Sequence, residues 1–546
     1  MIKPLTSTQK SWVEETLHNM SEDQKIAHVL CPFFNPYTAS VEDVIQLIET
    51  VHPGCIFFLP GPAKKIKEFT EAVRKHSKIP TLVAMDILWG AGHVIKEECT
   101  TFVSTMACGA ADQPDLTHAM GEAIAKEARA MGVHWTLGPI VDINVNPASP
   151  IVNFRSYGDC PEHVARHANA FISGVQDAGL MAATAKHFPG DGVDDRDQHF
   201  LTSINSLDRA TWDATFGKTF RSVIDNGVCS IMSGHIGLPA VDPGEPDSYL
   251  GAPPASLSKK QLRGVVRDEF GFEGLIVSDA IRMTGLTSHA KFEDIGWRLL
   301  DAGNDVILFS EPDYDIPSIK NALKDGKLDP SHLDEAVQRV LEMKCRVGIA
   351  PEAITYELSA EEKASHEETA RKLGHSSIRI VRNLDNVLPL KLSSGDRVLT
   401  ITIQYPRNDA KFIFIDSIDD ELRAEGLEVD HMLNPSPDDI IKVADQYAAV
   451  FININVGSHG RAGIIRLNNI LCEPIEAVVQ THPRTIVTSF GDPYKLYEMP
   501  YIRTYMNTFS PTQTSVEAAV KVWLGKEEAL GKNPIELPGF FSREVE

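Results

Sequence analysis

Met181-Ala182-Ala183-Thr184-Ala185-Lys186-His187-Phe188-Pro189-Gly190-Asp191-Gly192 runs from an apolar stretch directly into a loop rich in glycine and charge. A short strand that is apolar throughout is buried on both faces, which marks a parallel sheet covered by helices rather than an alternating antiparallel one. Similar runs lie on either side: Cys55–Leu59, Thr81–Met85, Val133–Leu137, Val228–Met232, Leu275–Ser278 and Val306–Phe309. Amphipathic stretches such as Leu116 to Ala130 and His163 to Ala178 separate them. Some seven strand–helix alternations over about 350 residues suit a (β/α)8 TIM-like barrel with one strand missed or degenerate. Several strands end in a polar residue: Asp86, Lys186 with His187, His235 and Asp279. In a barrel those ends converge on the face where active sites are built.

The 546 residues exceed what one core organises, so further domains are expected. Residues 351–371 are polar and read as an exposed linker after a barrel over 1–350. Beyond them, Ser377–Val381, Val398–Ile403, Ala449–Ile454 and Thr485–Ser489 predict a smaller open α/β sandwich domain over 372–546. A dinucleotide site there has weak support: Asn455-Val456-Gly457-Ser458-His459-Gly460 is a poor substitute for a glycine fingerprint and reads better as a loop. The net charge of −23 repels phosphate backbones and anionic headgroups, which excludes nucleic acid and membrane surfaces as partners. Eight scattered cysteines, with no Cys-x-x-Cys pair, fit reduced thiols and give neither a disulfide framework nor a zinc site. A cytoplasmic protein without metal or cofactor is the expectation.

Two stretches carry chemistry. In Lys186 to His199, Asp197 and His199 alternate, so both can lie on one side of extended backbone and hydrogen-bond. A carboxylate on one imidazole nitrogen fixes the tautomer and raises basicity, which suits a general acid/base. An acidic solvated loop or a cation site is the plainer alternative. In Gly271 to Met283 an apolar strand closes on Asp279, which by itself reads equally as a carboxylate in a barrel mouth or as a helix N-cap. Trp89 and Trp135 offer a sugar-stacking platform or core packing, and His235 a mouth-lining or a structural histidine.

The order Lys186-His187-Phe188-Pro189-Gly190-x-Gly192, then Asp197-x-His199, then a strand closing on Ser278-Asp279-x-x-x-Met283 resembles glycoside hydrolase family 3. The likeness is greatest to its β-N-acetylglucosaminidase branch. Leu17–Ser21, Gly138–Asn144, Asn153–Gly158, Leu333–Leu341 and Asn386–Leu390 resemble further family segments, so the match spans most of the chain. The resemblance implies a retaining exo-β-N-acetylglucosaminidase with Asp279 as nucleophile and His199, partnered by Asp197, as acid/base. It also implies that Lys186, His187, Arg155 and Asp86 grip sugar hydroxyls. Two departures stand out. Asp86-Ile87-Leu88-Trp89-Gly90-Ala91-Gly92-His93-Val94 replaces the branch's Asp-x-Glu-Gly-Gly-Arg-Val, and Asp191 stands where His is common. The implied partner is a small N-acetylglucosaminide. Because an imidazole base does not repel phosphate as a glutamate would, inorganic phosphate is an alternative acceptor, which would make the enzyme a phosphorylase. A β-glucosidase of the same family would take its acid/base Glu from the second domain, and Asp197-Gln198-His199 argues against that. A non-catalytic sugar-binding protein is disfavoured by the retained Asp279, His199 and Lys186.

Overall fold

The computed structural model describes residues 2–245, 250–405, 416–457, 465–467 and 469–546. The chain forms two compact units. One comprises Met1–Thr101, Thr117–Ile143 and Val164–Glu367, and the other Phe102–Leu116, Asn144–His163 and Glu368–Glu546.

The first unit is a closed ring of parallel strands. In chain order these are β1 (Leu30–Cys31 and Phe33–Phe34), β2 (Cys55–Phe58), β3 (Leu82–Met85), β4 (Trp135–Thr136), β5 (Thr184–Phe188), β6 (Ser230–Ser233), β7 (Leu275–Ser278) and β8 (Ile307–Leu308). Ladders join β1–β2–β3–β4, β5–β6–β7 and β8–β1. The ring closes through single parallel bridges, Trp135 with Ala182 and Val277 with Val306. This is the (β/α)8 TIM-like barrel, and β1 is the strand the apolar-run reading lacks. Pro32 splits it, since proline cannot donate to the ladder.

Alternate strand residues point inward. Phe57, Leu82, Ala84, Trp135, Ala182, Met232, Leu275, Val277, Val306 and Leu308 form one buried cluster with Val340, Met343 and Val347 of the closing helix region. Trp135 is fully buried and its Nε1–H donates to Thr184 Oγ1 at 2.7 Å, so it is core and not a sugar platform. The unit's first helices open on capping boxes, Thr6 with Gln9 and Ser21 with Gln24, each satisfying backbone donors that otherwise cost about 1 kcal/mol.

The second unit carries a six-stranded sheet: β9 (Arg379–Asn383), β10 (Arg397–Ile403), β11 (Glu428–Leu433), β12 (Ala449–Ile454), β13 (Thr485–Ser489) and β14 (Thr504–Asn507). Their spatial order is β9-β14-β13-β12-β10-β11, parallel except for the β9–β14 pair. Edge strand β11 mixes polar and apolar residues (Glu428-Val429-Asp430-His431-Met432-Leu433) and β14 is a short Thr504-Tyr505-Met506-Asn507, so neither reads as an apolar run. The expected linker 351–371 carries the first turns of the helix Ala360–Ser376. Of the stretch 455–460, residues 458–460 lie outside those described. Among the described residues no helix is long and apolar enough to cross a membrane, and none of the eight cysteines forms a disulfide.

Candidate active site

Strand β5 brings Lys186 and His187 to the C-terminal end of the barrel. Lys186 is buried, and its Nζ donates to Asp86 Oδ1 at 2.6 Å, just past the end of β3. His187 Nδ1–H donates to Asp142 Oδ2 at 2.7 Å. Asp142 Oδ1 also accepts the backbone N–H of His187 (3.1 Å) and of Asp191 (2.8 Å). One buried carboxylate therefore fixes both the histidine and the start of the glycine loop.

The loop then delivers Asp197 and His199. Asp197 Oδ1 accepts Nδ1–H of His199 at 2.6 Å and its backbone N–H at 2.9 Å. Pairing at Nδ1 fixes the ring's orientation and leaves Nε2 as the working nitrogen.

Asp279 follows β7. Its backbone N–H donates to Ser233 O at 2.9 Å, and its Oδ1 accepts the Ala280 N–H at 2.7 Å. Burial, the largest influence, would raise this carboxyl, but His187, His235, the Ala280 N–H and His199 outweigh it. The carboxyl is held below its ordinary range and stays ionised, as a nucleophile requires. His235 is fully buried and follows β6. It donates from Nε2 to Ala280 O at 3.0 Å and accepts at Nδ1 from Ser256 Oγ at 2.9 Å. Burial pushes its pKa down while Asp279 opposes. It is a structural histidine beside the carboxylate.

Asp86 opens the departing segment Asp86–Val94. Its Trp89 is buried, with ring centroid 4.5 Å from that of His93. Burial, with Lys96 acting in the same direction, pushes His93 down to about 4, while Asp86 opposes. This segment presents a neutral imidazole and an indole where the family branch has a charged pair. Arg155 belongs to the other unit, in the turn Asn153–Arg155, where its Nη1 donates to Ile151 O at 3.0 Å.

The first unit thus gathers an ionised carboxylate, an Asp–His dyad and an Asp–Lys pair at the strand ends of a barrel. Residues 24–343 match the glycosyl hydrolase family 3 N-terminal domain. The chain belongs to glycosyl hydrolase family 3. Over 96% of its length it is 32% identical to a β-N-acetylglucosaminidase/β-glucosidase of Cellulomonas fimi, covering 95% of that protein. It is similar in structure to a β-glucoside phosphorylase BglX bound to 2FGlc, with TM-score 0.89, 30% identity and 98% of both chains covered. A family 3 β-N-acetylglucosaminidase from Paenibacillus sp. FPU-7 shares the fold at TM-score 0.82 and 24% identity, over 95% of this chain and 99% of that one. The chain is a glycoside hydrolase of this family.

Three site residues went unassigned by sequence reasoning. Asp142 lies within Gly138–Asn144, a stretch that resembles the family but gives its carboxylate no task. Ser256, in the turn Ala255–Leu257, and Gln198, between the two members of the dyad, carried no pattern of their own.

Proposed function

We propose that this family 3 enzyme is a retaining exo-β-N-acetylglucosaminidase. Asp279 attacks the anomeric carbon as the bond to the leaving oxygen breaks, and His199 Nε2–H protonates that oxygen. The same nitrogen, now unprotonated, accepts a proton from the water that attacks the glycosyl-enzyme and returns Asp279 as a carboxylate. Asp197 keeps His199 in the tautomer that both steps need. Lys186 and Asp86, joined at 2.6 Å, offer a donor and an acceptor to neighbouring sugar hydroxyls, and His187 a further donor. Arg155 is given its sugar-binding role by family resemblance alone. The observation that carries the reading is the 2.6 Å Asp197–His199 bond in the same unit as an Asp279 carboxylate whose ionisation His199 favours. Eight scattered cysteines that form no disulfide support a reducing compartment, the cytoplasm.

Phosphorolysis is a second reading. An imidazole acid/base lacks a carboxylate's repulsion toward phosphate, and the likeness to a solved β-glucoside phosphorylase supports it. Aryl N-acetyl-β-glucosaminide and aryl β-glucoside, assayed side by side with and without phosphate, test both. Free N-acetylglucosamine as the main product is expected. Sugar 1-phosphate would establish the second reading, and faster release from the glucoside would overturn the substrate assignment.

A further inference from the structure

Gln198 sits between the two members of the dyad and points away from them. It is buried, and its Oε1 accepts the backbone N–H of His235 at 3.0 Å. His235 is itself pinned to the peptide that follows Asp279, through Nε2 to Ala280 O at 3.0 Å. The backbone repeats the connection: Gly285 N–H donates to Gln198 O at 3.1 Å and Thr284 N–H to His199 O at 3.2 Å. Thr202 Oγ1 donates to Gly285 O at 3.1 Å. This approach requires glycine at 285, since a Cβ there would lie 2.7 Å from Gln198 O and 3.1 Å from Leu201 O. The loop holding the acid/base is therefore latched to the segment holding the nucleophile by the Gln198 and Thr202 side chains and a backbone seam.

We propose that Gln198 is a positioning residue that sets His199 against Asp279, through the His235 N–H and the seam at Gly285. The inference rests on the roles proposed for His199 and Asp279. A displacement near 1 Å of a catalytic group costs about 10²-fold. General-acid help matters only where the leaving group is poor.

The test compares Gln198→Met, which keeps length but loses the acceptor, with Gln198→Glu, which keeps it, and with Gly285→Ala, which strains the seam from the other side. For Gln198→Met, kcat/KM should fall about 10²-fold on alkyl or disaccharide N-acetyl-β-glucosaminides. It should stay near wild type on nitrophenyl glycosides, with Gln198→Glu recovering most of the loss. Hydrogen exchange of the Phe200 and Leu201 amides should quicken roughly tenfold, the factor carried by one lost buried hydrogen bond. Gly285→Ala should reproduce both signatures. Equal losses on both substrate types, or unchanged exchange, overturn the proposal. His199→Ala run alongside separates the layers. If it shows no leaving-group dependence while exchange still quickens in Gln198→Met, the acid/base role fails and the latch stands as architecture alone.

Discussion

Asp142 touches no substrate in the proposed mechanism, yet the active end of the barrel should depend on it. Its buried carboxylate accepts His187 Nδ1–H at 2.7 Å, His187 N–H at 3.1 Å and Asp191 N–H at 2.8 Å. Asp142→Ala strands three buried donors, each worth about 1–3 kcal/mol when left unpaired, so a loss of roughly 3–9 kcal/mol is expected. Asp142→Asn keeps an oxygen for the two backbone donors but turns an NH2 toward His187 Nδ1. The imidazole must then accept at Nδ1 and carry its proton on Nε2. Exchanging a charge-assisted bond for a neutral one costs about 1–2 kcal/mol. At about 2 °C per kcal/mol for a unit of this size, the melting temperature should fall by roughly 6–18 °C and 2–4 °C respectively.

The carboxyl of Asp142 is held below its ordinary range, by His187 and the two backbone N–H groups against the opposing effect of burial. Its stabilisation is present above the unfolded aspartate pKa and is lost as pH falls through the folded value, so the gap between wild type and either variant should narrow in acid. Activity gives an independent reading. His187 is the foremost of the groups that keep Asp279 ionised against burial. Asp142→Asn disturbs the His187 ring that attracts this carboxylate, so the opposing effect of burial counts for more and the Asp279 carboxyl is pushed up. The acid limb of kcat/KM in Asp142→Asn should therefore move to higher pH. An acid limb that stays put in a folded Asp142→Asn enzyme, or equal destabilisation by Asn and Ala, would refute the reasoning.

Replacing Asp279 by Ala or Asn should nearly abolish turnover while circular dichroism and cooperative melting persist; normal activity would remove it from the nucleophile's place. His199→Ala should lower kcat/KM by about 10²–10⁴-fold on poor leaving groups and leave activated aryl glycosides nearly unchanged, which a leaving-group series measures directly. At the other end of the barrel, the buried Lys344 Nζ donates to His28 Nε2 at 2.5 Å, and burial pushes this lysine down to about 7. Between that value and its unfolded pKa near 10.4 the unfolded chain binds more protons, so protonation opposes folding most below pH 7 and least above about 10. Lys344→Met should consequently raise the melting temperature at pH 6, with the gain shrinking toward pH 10; a difference independent of pH would count against it.

The barrel was legible because its strands β2 to β8 lie in or beside apolar runs. Strand β1 was not, since Pro32 interrupts Leu30-Cys31-Pro32-Phe33-Phe34. The apolar run from Met181 places Lys186 and His187 at a strand end, whereas the strand is Thr184–Phe188 and carries both within it. Pairing to a neighbouring strand, which a single run does not display, decides such limits. Asp197 with His199 could be seen because alternation is local, and Asp86 with Lys186 only as separate strand ends, 100 residues apart. Gln198 and Asp142 were invisible as agents because their tasks are defined by what lies across space, a backbone N–H just past β6 for the one, and for the other a backbone N–H of β5 and one of the loop after it. Likewise Phe102–Leu116 and Asn144–His163 belong to the later unit, which no contiguous reading of 1–350 conveys.

Charge pairing bears on the choice between water and phosphate. Each base that sequence reasoning assigned to the site in this unit has its own carboxylate: Lys186 with Asp86 at 2.6 Å, His187 with Asp142 at 2.7 Å and His199 with Asp197 at 2.6 Å. Asp279 adds a further negative charge, in a chain that already carries −23. Matched pairs of this kind present donors and acceptors side by side, which suits the hydroxyls of a neutral sugar. To a phosphate dianion they offer little net attraction, because each positive potential is offset within hydrogen-bond distance. An imidazole in the acid/base place removes one repulsion but supplies no binding charge while Asp197 holds it. Water needs only the lone pair that His199 Nε2 recovers after the first step. The same pairing that fixes the geometry of the site therefore favours hydrolysis, and phosphorolysis would require a cation beyond these three.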